Sequence, residues 1–332
     1  MSEAELLGAV MLGALVLYAL TGGADFGGGV WDLLASGPRA GEQRALIEHA
    51  IAPVWEANHV WLVILVVLLF AGFPPAAAAL GVALHVPLTL ALLGIVLRGS
   101  AFVFRKYGGQ RRAGWGWAFA GASLLTPVCL GAVVGALAGA ELHPGPARIP
   151  EGGLFAPWLA PFPLLSGLLT LMACAYLAAV YLTLEAEDEA LRADFRRRAL
   201  GAWGGTLVCA LVAAGLSGPG TRRFLGALTG SPWSAPLLLA CGLAALGGLL
   251  SLVTWRLRAA RAFAIAQVAL LVLGWGFAQR PWLVYPDHSL ASAAAPPETL
   301  RLLLLLCALG AVVVLPALGW LLYVFKGGAR GA

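Results

Sequence analysis

The sequence predicts an all-α polytopic membrane protein with about nine transmembrane helices, on three observations. Of its 332 residues 61% are hydrophobic and only 11% charged, with a mean hydropathy of +0.88; a soluble domain carries roughly 25% charged residues. Nine apolar stretches each reach the roughly 20 residues that a helix needs to cross a hydrocarbon core. The basic residues alternate from one connection to the next, as they do when successive connections lie on opposite sides of a membrane.

In chain order the expected spans are 5–25, 52–72, 76–98, 116–139, 158–183, 199–217, 234–255, 262–279 and 300–325. The odd-numbered connections and the carboxyl tail hold sixteen Lys and Arg, counting Arg98, against five in the even connections. The positive-inside rule therefore places the amino terminus outside and the carboxyl terminus in the cytoplasm. The expected cytoplasmic clusters are Arg105-Lys106 with Arg111-Arg112, Arg192 with Arg196 to Arg198, and Arg256, Arg258 and Arg261. The net charge of +5 and pI near 9.2 follow from these clusters, so no nucleic-acid partner is expected. Cys129, Cys174, Cys209, Cys241 and Cys307 fall one to a span without paired spacing, which fits small core residues and neither a disulfide framework nor a thiolate metal site. Glu3 and Glu5 stand where a cleavable signal would carry basic residues, so the first segment is read as a retained span. Gly131, Gly135 and Gly139 mark a helix face open to close approach by a neighbour, while Gly27 to Gly29 are expected to loosen the end of the first helix. The Glu185 to Glu189 patch is read as a solvated helix extension.

The most unusual stretch is Pro53-Val-Trp-Glu-Ala-Asn-His-Val-Trp-Leu62, which carries polar groups straight into an apolar helix. An acidic side chain near a bilayer centre costs roughly 2.5 to 3.5 kcal/mol, so Glu56, Asn58 and His59 are expected to face the bundle interior. Asp25 ends the first expected span and Arg98 the third, which brings Asp25, Glu56, His59 and Arg98 to the cytoplasmic third of the membrane as one cluster. A carboxylate facing Arg98 would stay ionised; one in apolar surroundings would exchange protons near neutral pH. Either suits a proton path, and a structural ion cluster holding the first three spans in register is compatible with both. Asn58 is expected to bridge helices, and Trp55 and Trp61 to serve in packing or at the interface. His59 lacks a second embedded donor for haem ligation apart from His85, which is read as a packing residue beside Pro87. His49, His143 and His288 fall in connections.

Four motifs carry a family resemblance: Thr21-Gly-Gly-Ala-Asp-Phe-Gly-Gly-Gly, the Trp55-Glu-Ala-Asn-His-Val-Trp-Leu run, the Phe70-Ala-Gly-Phe-Pro74 turn and Arg98-Gly-Ser-Ala-Phe-Val-Phe-Arg105. They resemble subunit II of the cytochrome bd-type quinol oxidases. The resemblance implies two four-helix halves, residues 1–140 and 141–280, with residues 281–332 forming a peripheral ninth helix and cytoplasmic tail. It implies a heterodimeric terminal oxidase of the bacterial plasma membrane that oxidises quinol and reduces dioxygen to water. Subunit I would hold haem b and haem d; this chain would bind no cofactor or metal alone, and a small accessory subunit and membrane lipids would be further partners. It also implies that Asp25, Glu56 and Arg98 line a cytoplasmic proton route. The chain departs from the pattern where relatives read Asp-Gly-Phe-Asp and it reads Gly22-Gly23-Ala24-Asp25, where Glu56 replaces an Asp of some members, and where Ala76 to Ala79 follow the Phe-Pro turn. Two other classes compete: a proton-coupled secondary transporter using the Asp25, Glu56 and Arg98 cluster, and a structural anchor for another redox subunit.

Overall fold

The structure is a computed structural model describing residues 1–51, 55–107, 112–139, 142, 153–216, 218 and 221–327. Among these, nine helices are long and apolar enough to cross a membrane. They are α1 (Glu3–Leu33), α3 (Trp55–Gly72), α5 (His85–Tyr107), α6 (Arg112–Gly139), α8 (Pro161–Glu185), α9 (Glu189–Gly215), α11 (Ser234–Val253), α12 (Leu257–Gln279) and α13 (Pro297–Gly327). Shorter helices α2 (Ala40–Ile51), α4 (Pro74–Ala83), α7 (Ala156–Leu159) and α10 (Arg222–Gly230) fill connections, and Trp282–Val284 pairs antiparallel with His288–Ser289 in a small hairpin. Pro53, Arg111 and His143 lie outside the described residues, as do the side chains of Lys106 and Arg112.

The third expected span is displaced. Pro74 and Pro75 open the short α4, the helix ends at Leu84, and the membrane-crossing helix begins only at His85. An apolar run long enough for one span thus splits into a one-sided start and a new helix, and Arg98 falls deep inside α5 instead of at its end. Likewise α1 continues through Asp25 for two further turns to Leu33. The glycines at 27 to 29 do not loosen it; they let it be approached. A Cβ on Gly27 would collide with the Cys174 carbonyl of α8, one on Gly28 would press the Ile51 side chain of α2, and one on Gly29 would collide with Ser123 of α6. Helices meeting this closely gain contact through backbone and small residues, the usual basis of association where lipid is as apolar as the side chains. The predicted face on α6 works the same way: Gly131 and Gly135 lie against the Gly167 and Pro163 backbone of α8, each 2.7 Å from a hypothetical Cβ. α8 is consequently the central helix, packed against α1, α6, α9 and α12, with Tyr176, Leu177, Ala179 and Val180 fully buried. α13 is peripheral, with none of its most apolar window buried.

The arginine-rich connections close one end of the bundle. Arg196 donates through Nε to the Leu252 carbonyl and through Nη2 to that of Val253 at 3.0 Å, capping the end of α11. Arg198 and Arg44 do the same for the Leu34 and Ala35 carbonyls after α1, and Arg192 for Ala186 after α8. These are the terminal carbonyls that no helix can satisfy internally, and cations there also oppose the negative end of the helix dipole. Arg39 is bound by Asp194 at 2.8 Å, tying the start of α2 to α9, and the carboxylate raises the Arg39 guanidinium pKa. At the opposite end Glu5 meets Arg280 at 3.0 Å and Glu3 meets Arg301 at 2.6 Å, so two of the five basic residues of that side are paired with acids.

Gly27→Ala is expected to lower the thermal midpoint of the detergent-solubilised chain by the equivalent of about 1–3 kcal/mol, the usual range for overpacking. Gly13→Ala, on the same helix with open space around it, stays within about 1 kcal/mol of wild type. Melting curves read by size-exclusion fluorescence check the pair.

Candidate functional site

Heptad spacing on two helices builds the site. Seven residues make nearly two helical turns, so Tyr18, Asp25 and Asp32 line one face of α1, about 10 Å apart along the axis, and Arg98 and Arg105 line one face of α5 at the same step. The two faces meet as two tiers.

In the upper tier Asp25 is 5% and Arg98 2% exposed. Arg98 Nη2 donates to the Asp25 carbonyl oxygen at 2.9 Å, and Asn58 Nδ2 of α3 donates to Asp25 Oδ2 and, at 3.4 Å, to the Thr21 carbonyl. The Arg98 guanidinium lies 5.2 Å from the ring centroids of both Phe26 and Phe119, where the ring faces offer it negative charge. In the lower tier Arg105 Nη1 meets Asp32 Oδ2 at 2.7 Å, and its Nη2 reaches Glu48 of α2 at 3.4 Å. Asp32 is buried, while the Glu48 side chain is 39% exposed. Arg105 stands 5.6 Å from the same Phe119 ring. One aromatic ring therefore lies beside both cations, and a chain of contacts runs from the partly exposed Glu48 to the buried Asp25. Above the upper tier the Tyr18 and His59 rings lie 6.0 Å apart, with Phe26 6.4 Å from each.

The structure brings Asp25, Asn58 and Arg98 together and sets His59, half-buried, at their border. Trp55 packs against Gly99 and Phe102 of α5, and Trp61 is buried with Tyr18, Phe26 and Cys174. Glu56 does not join them. It is exposed, about 160° around α3 from Asn58, at the head of the outward stripe Val60, Val63, Val67 and Phe70. Successive helical residues turn by about 100°, so a contiguous run cannot keep all its members on one face: Asn58 and Trp61 take the inner one, which leaves residue 56 on the outer. Arg98 is a buried residue of mid-helix, not of the helix end, and Arg105, expected in a cytoplasmic cluster, turns inward to Asp32. Asp32, Glu48 and Phe119 escaped the sequence reading. The seven-residue repeats Asp25/Asp32 and Arg98/Arg105 were the available signal.

The His59 ring is flanked by Tyr18 and Phe26, and His85 Nδ1 lies 3.1 Å from the Val82 carbonyl. Among the described residues no group of three or more His, Cys, Asp or Glu is arranged to hold a metal ion.

Fold and site define a multi-pass helical membrane protein with a buried ladder of alternating acids and arginines. Residues 4–325 match the family model described as cytochrome bd terminal oxidase subunit II, and the chain belongs to that family. It is similar to the cytochrome bd-I ubiquinol oxidase subunit 2 of Escherichia coli, 28% identical over 189 residues that make up 54% of this chain and 48% of that protein. To the cytochrome bd ubiquinol oxidase subunit 2 of Bacillus subtilis it is 35% identical over 111 residues, 33% of this chain and 32% of the relative. The sequence matches thus span half or less of these curated relatives. The fold matches a chain of the bd oxidase structure from Geobacillus thermodenitrificans with a TM-score of 0.81 and 25% identity, over 98% of this chain and 99% of that one.

Arg98→Met is expected to destabilise the folded chain by about 3–5 kcal/mol, the cost of leaving one side of a buried charged contact unanswered. Arg301→Met, at the exposed pair with Glu3, is expected to cost about 1 kcal/mol or less. Chemical denaturation followed by tryptophan fluorescence compares the two.

Proposed function

We propose that this chain is the subunit of a cytochrome bd-type terminal oxidase that houses a haem-bearing subunit I and lines a proton route into it. The complex oxidises quinol and reduces dioxygen to water; haem b and haem d belong to the partner, and the proton demand of oxygen reduction is met from the cytoplasm. The observation that carries the reading is the family match over almost the whole chain, from residue 4 to 325. The amino terminus faces outward and the carboxyl terminus the cytoplasm of a bacterial plasma membrane, in keeping with the sixteen Lys and Arg of one set of connections against five of the other. Residues 1–140 and 141–280 form the two four-helix halves, with α13 outside them; its unburied apolar surface supports that placement. A small accessory subunit completes the complex.

Within that complex the upper tier holds protons inside the bundle. Asn58 and Arg98 fix Asp25, and Glu56 stands at the head of an apolar outer stripe, where lipid disfavours a carboxylate. A partner chain seated on that stripe removes this penalty and receives protons there, with His59 between the inner and outer faces. The spans carrying the ladder run unbroken through Asp25 and Arg98, unlike the interrupted helices of secondary transporters.

The test is coexpression with the neighbouring oxidase gene, recording the haem spectrum and quinol-dependent oxygen uptake. Wild type copurifies with a haem-bearing polypeptide. Glu56→Gln keeps its haem content while turnover falls by about tenfold or more, in the range of lost proton-transfer groups. A chain that purifies alone without loss of activity, or a Glu56→Gln complex with undiminished turnover, contradicts the respective half of the reading.

A further inference from the structure

The upper tier is closed to solvent, since Asp25 and Arg98 are both buried, so a route through it needs an entrance. The lower tier supplies a graded one. Glu48 is partly exposed, the Arg105 side chain is 16% exposed and touches Glu48 and Asp32 at once, and Asp32 is buried directly below Asp25 on the same helix face. Between the tiers lies a step of about 10 Å along α1, too long for direct transfer between carboxylates. Gly29 occupies that step, four residues after Asp25 and three before Asp32, and the Ser123 hydroxyl of α6 is seated against it in the space a Cβ would fill. Ser123 is fully buried and donates to its own helix at the Phe119 carbonyl, 2.7 Å away, which leaves its lone pairs free to accept. Two buried atoms of the same two tiers, Asp32 Oδ1 and Arg98 Nε, have no hydrogen-bond partner among the described residues. Buried groups of this kind ordinarily have one, and water is small enough to serve where several polar groups converge.

Resting on the proton-route reading above, we infer that protons enter this chain at the Glu48, Arg105 and Asp32 tier and reach Asp25 by way of water held at the Ser123 hydroxyl on Gly29. No bond other than O–H is made or broken. A proton arriving at Glu48 passes to water at Asp32 Oδ1, the Ser123 hydroxyl accepts one proton as it gives up another, and Asp25 receives it. Arg105 and Arg98 stay protonated and act as positioning residues: Arg105 holds the Asp32 carboxylate, and Arg98 holds the Asp25 backbone carbonyl while Asn58 holds its carboxylate.

The experiment uses the intact complex with its haem-bearing partner and measures quinol-dependent oxygen uptake in ordinary and heavy water for Ser123→Ala, Asp32→Asn, Glu48→Gln and Asp25→Asn, with haem content alongside. The expected result is wild-type haem in Ser123→Ala, turnover lowered about fivefold or more, and an increased solvent isotope effect, which lost packing alone does not produce. Asp32→Asn slows turnover likewise and Asp32→Glu restores part of it. If Asp32→Asn fails to assemble, Ser123→Ala and Glu48→Gln decide. Wild-type turnover and isotope effect in these variants, with Asp25→Asn impaired, overturns the entrance and leaves the proton-route reading standing. Wild-type behaviour in Asp25→Asn as well overturns both.

Discussion

A guanidinium that is 2% exposed in the middle of a membrane helix has to be solvated by protein, and everything around Arg98 follows from that requirement. One of its nitrogens donates to the Asp25 carbonyl, two aromatic rings flank its plane, and Asn58 fixes the carboxylate of the same aspartate. None of these contacts comes from α5 itself: Asp25 and Phe26 are on α1, Asn58 on α3 and Phe119 on α6. The charge thereby fixes the register of four helices, a specific role that apolar packing in lipid performs poorly because lipid competes with it on equal terms.

Close approach makes that solvation possible. α1 presents glycine toward α8 at residue 27, toward α2 at 28 and toward α6 at 29, and α5 presents Gly99 to Trp55. Each removes the side-chain layer that would otherwise hold the backbones apart, and the carbonyl of residue 25 comes within reach of an arginine on another helix. The same economy of volume lets a single phenylalanine, Phe119, serve both the upper and lower cations. Ion pairs at the two ends of the bundle are of another kind. Those of Glu3 and Glu5 are solvent-exposed and contribute little to stability, while the arginines that cap α1, α8 and α11 answer carbonyls that would otherwise lack partners.

Fold class and span number were legible because hydrophobicity integrated over some twenty residues is a strong signal. The failures were local. The third span was misplaced because Pro74, Pro75 and the alanines after them are apolar whether or not they cross a membrane, and apolarity does not report where one helix stops and the next starts. Asp25, Asn58 and Arg98 were recognised since a polar residue in an apolar helix is conspicuous. Asp32 and Arg105 were not, because each falls where the apolar signal has ended and a charge looks ordinary. Only the seven-residue repeat, combined with helices longer than their apolar cores, places them inside. The cost of burial and the three-residue spacing to His59 point Glu56 inward; the inner face is set instead by Asn58 and Trp61, and Glu56 falls beside the exposed Val60 and Val63.

The claim beneath the rest is that opposite charges on α1 and α5 persist in the bundle by mutual compensation. A double-mutant cycle of folding stability on Asp25→Asn and Arg98→Met measures this directly. The account predicts that the double variant is more stable than the sum of the single effects implies, by more than about 1 kcal/mol. Strict additivity would mean that the two residues stand in the membrane independently, and the ladder would be a coincidence of spacing.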